Sequence, residues 1–304
     1  MRWDLPVQQD GLDTLLPLGE PAIEYMAAES ERLQQKARRL MLLSEDLHRA
    51  AVRRELLAAL RPADAGQAPD LLTCALLVAR IDNSDVDAAG YVQRVDRMAA
   101  EISGRLPADA TESARLAELD RWLFEELGFR GSRFEYDTAS NSYLNEVIDD
   151  REGIPISLSV LYMELAKRLG LEVRGVGFPG HFLVRHDPAA GEPRWLDVFD
   201  RAKPLTRDDL ARLALDELHG DLDVDEVVGE AGLRDAQEIP AGEVIGTISH
   251  ASIVGAAAHQ GGFHFQGQTQ NLEDFDRFDH DFGANAVTGK DGDVHEGAFK
   301  GFGT

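Results

Sequence analysis

His181 and Asp197 are the two side chains whose types and spacing could share a proton. His181 opens an alternating run over residues 181–186, and Asp197 lies in a second run over residues 194–199. Residues 187–193 (DPAAGEP) between them are turn chemistry, so the runs read as an antiparallel hairpin. His181, Leu183 and Arg185 then share one face of the first strand, and Trp195, Asp197 and Phe199 share one face of the second. A turn centred near Ala190 sets His181 opposite Phe199, with Asp197 one diagonal step away, roughly 7–8 Å between Cβ atoms. An imidazole and a carboxylate can close that gap. Histidine would take a proton from a nucleophile and the carboxylate would orient the ring.

A nucleophile for such a pair is best placed at a helix N-terminus, where unpaired N–H groups and the dipole favour an anion. Gly153-Ile154-Pro155 breaks the chain, and residues 156–169 follow as a helix that is apolar on nearly all sides. A helix of that kind is central and buried. Gly170 stops it. The pair is expected to face the start of this helix.

Further elements must hold these pieces in place. Residues 21–61 are strongly helical, with Leu33, Leu40 and Leu47 every seven residues and Ala37 and Ala51 among them. The ordinary reading is a core-facing stripe; a short partner-binding coiled coil is the alternative. Residues 61–68 form a loop. Helices are predicted over residues 70–80, 85–106 and 111–127, the last closed by Gly128, and over 142–150, capped by Ser140 or Asn141. Strands are predicted over 172–178, 181–186 and 194–199, then a helix over 206–218 with Thr206 as its cap. After about Val228 the aliphatic density collapses, and Leu233 and Leu272 are the only leucines beyond residue 230. That stretch offers little surface to offset chain entropy.

These quoted segments carry a family resemblance. GFRG (128–131), NSYLNEV (141–147), GIPISLSVLY (153–162), RLGL (168–171) and FPGHFLVR (178–185) resemble the SirB-type branch of the bacterial transglutaminase-like superfamily, over about residues 71–218 and most densely over 119–205. The resemblance implies an α+β fold, with a papain-like helix plus antiparallel sheet after the N-terminal helical region; it would also imply tetratricopeptide-like helical repeats beyond Leu218, but no such periodicity is visible there, and composition instead predicts a poorly ordered tail. The corresponding division is 1–68, 69–218 and 219–304. It also implies a cysteine about 15 residues before Gly170, and that position holds Pro155. The family's histidine falls on His181 and its aspartate on Asp197. Proline suits a first helical turn but offers no nucleophile. Ser157 lies on roughly the opposite side of the helix; Ser159 shares the face of Pro155 but sits one turn deeper, about 5–6 Å along the axis.

The expected function is therefore a non-catalytic, pseudoenzyme-like module that binds a protein or peptide partner. The alternative is an acyl-transfer or amide-hydrolysing enzyme using Ser159 or Ser157 with His181 and Asp197. The net charge of −24 argues against nucleic acid and anionic membranes as partners. Cys74, the one cysteine, lies among leucines and reads as a buried structural thiol in a reducing cytoplasm. The start, MRWDLPVQQDG, lacks the apolar run of a secretory signal. No cofactor is expected and no metal either. Asp274, Asp276, Asp279 and Asp281 with His280 lack calcium-loop spacing and read as a solvated acidic stretch.

Overall fold

The computed structural model describes residues 16–61, 69–132, 138–178, 181–217 and 239–258. The chain divides into two compact units, residues 1–54 and 55–304.

The first unit holds most of a single 40-residue helix, α1 (Glu20–Ala59). Here the expectation of a core-facing stripe is corrected. Leu33, Leu40 and Leu47 are 53%, 57% and 63% exposed. A seven-residue repeat shows that leucines share a face, and says nothing of what covers that face.

In the second unit, α2 (Leu71–Asp82) and α3 (Ala88–Gly104) start on aspartate caps. Asp70 accepts from Thr73 N (3.4 Å) and Asp87 from Gly90 N (3.0 Å). α4 (Glu112–Asp120) starts on Thr111, whose hydroxyl accepts from Ala114 N (3.2 Å). It runs on as a wide π turn over Arg121–Glu126, which buries Trp122, Leu123 and Phe124. Gly128 follows at φ +76°, a left-handed value suited to glycine. α5 (Leu144–Asp150) begins later than expected. Residues Ala139–Asn141 form a 3₁₀ turn, and no side chain caps α5, so neither Ser140 nor Asn141 has that role.

α6 (Pro155–Arg168) is buried on every side from Ile156 to Ala166. Its one buried acid, Glu164, is paired with Arg168 (2.6 Å), which also reaches Asp96 (2.6 Å). α6 ends on Gly170 (φ +70°), with Gly170 N bonded to Lys167 O and Leu171 N to Ala166 O. That turn sends the chain back along α6 as a four-stranded antiparallel meander. Its strands are β3 (Val173–Phe178), β4 (His181–His186), β5 (Arg194–Asp197) and β6 (Lys203–Leu205). A separate parallel pair, β1 (Arg130–Gly131) and β2 (Glu152–Gly153), ties the end of the π turn to the approach to α6.

The two faces of the meander are covered differently. On one, Val176, Leu183 and Trp195 pack with Leu210 of α7 (Arg207–Glu217). On the other lies α6: a Cβ added at Gly175 would stand 3.4 Å from Met163 Sδ. α8 (Ala241–Ala258) buries Val244, Ile245 and Ile248 and touches α2, α6 and the 3₁₀ turn. The expected disorder beyond residue 219 is thereby corrected over 241–258. The apolar face there is made of valine and isoleucine, which a tally of leucines overlooks. Ile239 leads into α8, donating to Gly175 O (3.0 Å) at the edge of β3. Residues 259–304, including the Asp274–His280 cluster, lie outside the described residues.

Candidate functional site

The start of α6 is closed by its own chain. Ile154 occupies the cap position and Pro155 the first helical position. Ser157, three residues after the cap, accepts from Ile154 N (3.1 Å) and donates to Asn141 O (2.7 Å). Ile154 N also donates to Asn141 O (3.2 Å). Gly153 fits directly above; a Cβ there would fall 2.8 Å from Ser157 Oγ. Ser157 is thus a helix-capping hydroxyl that anchors the turn carrying Asn141. Ser159 is fully buried, and its hydroxyl has no hydrogen-bond partner among the described residues. Pro155 is half-buried.

In the hairpin, Val184 pairs with Leu196, Arg185 with Trp195 and His186 with Arg194. The turn centred near Ala190 is thus as expected, but β5 ends at Asp197 and residues 198–200 form a turn, so the expected strand to residue 199 and the pairing of His181 with Phe199 fall outside the ladder. His181 and Asp197 are both half-buried. Among the described residues no hydrogen bond joins His181 to Asp197. The carboxylate instead accepts from Asp200 N (3.2 Å) and closes the turn between β5 and β6.

The alternation along β4 has a further consequence. His181 shares its face with Leu183, and Asp197 shares its face with Trp195, the side covered by α7. α6 packs on the opposite side. Strand alternation thus puts His181 on the face away from Met163, in the third turn of α6. Four positions were candidates for one machine. By strand alternation His181 and Asp197 fall on one face of the meander. Pro155 and Ser159 belong to the helix on the other.

Two buried polar groups were not singled out from sequence. Tyr162 of α6 donates to Asp120 Oδ1 (2.7 Å) and stacks on Phe124, ring centroids 6.2 Å apart. Burial pushes the Asp120 carboxyl up from 3.8 to about 6, opposed by the Tyr162 hydrogen bond. The partners are 42 residues apart on different elements, so no local pattern announces them. His186 is buried, and neither ring nitrogen has a hydrogen-bond partner among the described residues; burial holds its pKa below the usual 6.5. Ser157 did carry a legible signal, its place three residues after the cap.

Cys74 is fully buried in α2. Burial, with Asp70 and Glu164 adding, pushes its thiol up to about 12. A native sample treated with a maleimide or a thiol-exchange dye at pH 7.5 is expected to stay unlabelled until denaturant is added. Immediate stoichiometric labelling would contradict this. Among the described residues no group of three or more His, Cys, Asp or Glu could hold a metal ion, and no helix is long and apolar enough to cross a membrane.

The helix-plus-meander core has counterparts. Residues 89–234, just under half of the chain, match the Transglutaminase-like superfamily model. A UPF0162 protein of Xylella fastidiosa is 36% identical over 160 residues, 53% of this chain and 57% of that protein. A UPF0162 protein of Vibrio cholerae is 32% identical over 104 residues, 34% of this chain and 38% of that one. F-box only protein 21 of Mus musculus is 42% identical over 89 residues, 29% of this chain and 14% of its own length. The chain thus spans about half the length, or less, of the relatives it matches. No solved structure matches it.

Proposed function

We propose that residues 69–218 act as a SirB-type, non-catalytic transglutaminase-like module that binds a protein or peptide partner in a regulatory role. The observation that carries this reading is the start of α6. Pro155 stands at its first position, Ser157 is committed to backbone groups, and Ser159 is fully buried. A nucleophile needs an exposed attacking atom within reach of its base. None of these three offers one, and strand alternation puts His181 on the face away from Met163 of α6. The likeness to F-box only protein 21 over only 14% of that protein fits a segment used as a module within longer chains.

A serine-reactive fluorophosphonate tests the catalytic part. No labelling is expected at pH 7.5. Stoichiometric labelling that disappears in Ser159→Ala or His181→Ala would overturn the reading in favour of a serine acyl-transfer enzyme. The binding part predicts that a peptide selected from an immobilised library keeps its affinity in Ser159→Ala. It also predicts that His181→Ala lowers that affinity with thermal stability unchanged. A library from which no peptide binds would count against a peptide-binding role.

A further inference from the structure

α1 carries a seam that nothing described covers. Ile23, Met26, Leu33, Leu40 and Leu47 are each more than half exposed. Together with Ser30, Ala37, Ser44 and Ala51 they occupy positions 23, 26, 30, 33, 37, 40, 44, 47 and 51, all exposed and spaced alternately three and four apart. That spacing is one continuous coiled-coil stripe. Along it, large side chains at 26, 33, 40 and 47 alternate with small ones at 30, 37, 44 and 51. The small positions leave hollows between the large ones. A groove lies there, lined by Met26, Glu29, Ser30, Leu33, Gln34 and Ala37.

The pattern selects its own occupant. If two copies of the helix run antiparallel so that paired positions sum to 77, every layer puts a large residue against a small one. Leu40 meets Ala37 of the other copy, Leu33 meets Ser44, Leu47 meets Ser30, and Met26 meets Ala51. The arrangement is two-fold symmetric and therefore closed. A parallel pair would stack Leu33 on Leu33 and Ser30 on Ser30, giving alternate crowding and voids.

Charge favours the same orientation. Residues 20–31 hold Glu20, Glu24, Glu29 and Glu31 and no Lys or Arg. Residues 32–39 hold Arg32, Lys36, Arg38 and Arg39 and no Asp or Glu. Parallel pairing sets each block against its like. Antiparallel pairing brings the acidic block alongside residues 46–57 of the other copy, where Arg49, Arg53 and Arg54 outnumber Asp46 and Glu55, and sets Glu45 beside Arg32, with Arg38 and Arg39 the like charges left facing each other at the centre. The seam from residue 23 to 51 is about 42 Å long; at one helix width, two copies bury on the order of 1,000 Å², enough for a specific but reversible interface.

We infer that the exposed seam of α1 is a homodimerisation surface whose occupant is α1 of a second copy, antiparallel. The inference is independent of the reading given to the transglutaminase-like domain.

Sedimentation velocity of the full chain over about 1–200 µM tests it. The 33.4 kDa monomer is expected to convert to a dimer within that range. Leu40→Lys is expected to weaken association at least about tenfold, with helical circular dichroism unchanged, because the Leu40 side chain is exposed. Ala37→Glu, which fills a hollow with charge, serves as the second variant. Nitroxide labels at Ala28→Cys report orientation: their separation is expected near 30 Å in the antiparallel dimer, from about 1.5 Å per residue over 21 residues, and near 15 Å if the helices were parallel. A strictly monomeric chain at 200 µM, a dimer indifferent to both substitutions, or the shorter separation would each overturn the proposal. A monomer that takes up only a different helical protein on this face counts equally against it.

Discussion

Replacing Asp120 by asparagine is expected to stabilise the second unit by up to about 3 kcal/mol at pH 7.5. The sign follows from linkage. The folded state holds the Asp120 carboxyl at about 6, against 3.8 unfolded. Between those values the native state keeps a proton that the unfolded state has released, so stability falls as pH rises from about 4 to about 6. Above 6 the full penalty stands: two units of pKa, at about 1.4 kcal/mol each. Asparagine keeps an oxygen for the Tyr162 hydroxyl and carries no charge. Urea unfolding at pH 7.5 and at pH 4 measures both ends. The gain should be largest at pH 7.5 and vanish near pH 4. A gain of equal size at both would assign it to packing. Tyr162→Phe should act the other way: it leaves the carboxylate without its buried donor and costs about 1–3 kcal/mol at neutral pH.

Asp120 and Tyr162 also mark the boundary of what the sequence discloses. The hairpin was legible to its register because turn chemistry at residues 187–193 and a period of two act locally. α6 was legible because an apolar run bounded by Pro155 and Gly170 has one sensible state. The two-residue strands β1 and β2 were not, since pairing at Gly131 and Gly153 is dictated by neighbours: a Cβ at Gly131 would collide with the Phe199 ring. Residues 121–127 read as plain continuation of α4, because propensity does not distinguish one wide turn. α1 is the instructive case. Its helical state and its stripe were both plain, yet the stripe faces outward, because a heptad encodes a face and leaves its partner unspecified. The same limit applies at the site. Residue types at 155, 181 and 197 are local facts, whereas the side of the sheet that α6 covers is a tertiary one. Legible spacing therefore supported the fold more firmly than it supported catalysis.

Two serines on one turn of α6 should respond oppositely to the same substitution. Ser157→Ala removes a hydroxyl that is fully buried and bridges Ile154 N to Asn141 O. Ile154 N retains a 3.2 Å bond to Asn141 O, so one donor stays satisfied. The capping contribution, the better of two bonds to Asn141 O and the anchoring of the 3₁₀ turn are lost, for an expected cost of about 2 kcal/mol. Ser159→Ala removes a buried hydroxyl that has no partner among the described residues. Its desolvation is relieved and one small atom is lost, so stability should hold or rise by about 1 kcal/mol. Paired urea denaturation curves with unchanged slopes decide this. Were Ser159 part of a working triad with His181, Ser159→Ala would abolish an activity, and a base in contact would leave its hydroxyl partnered. A strongly destabilised Ser159→Ala with a tolerant Ser157→Ala would invert the assignment and place the functional hydroxyl one turn deeper in α6 than its capped start.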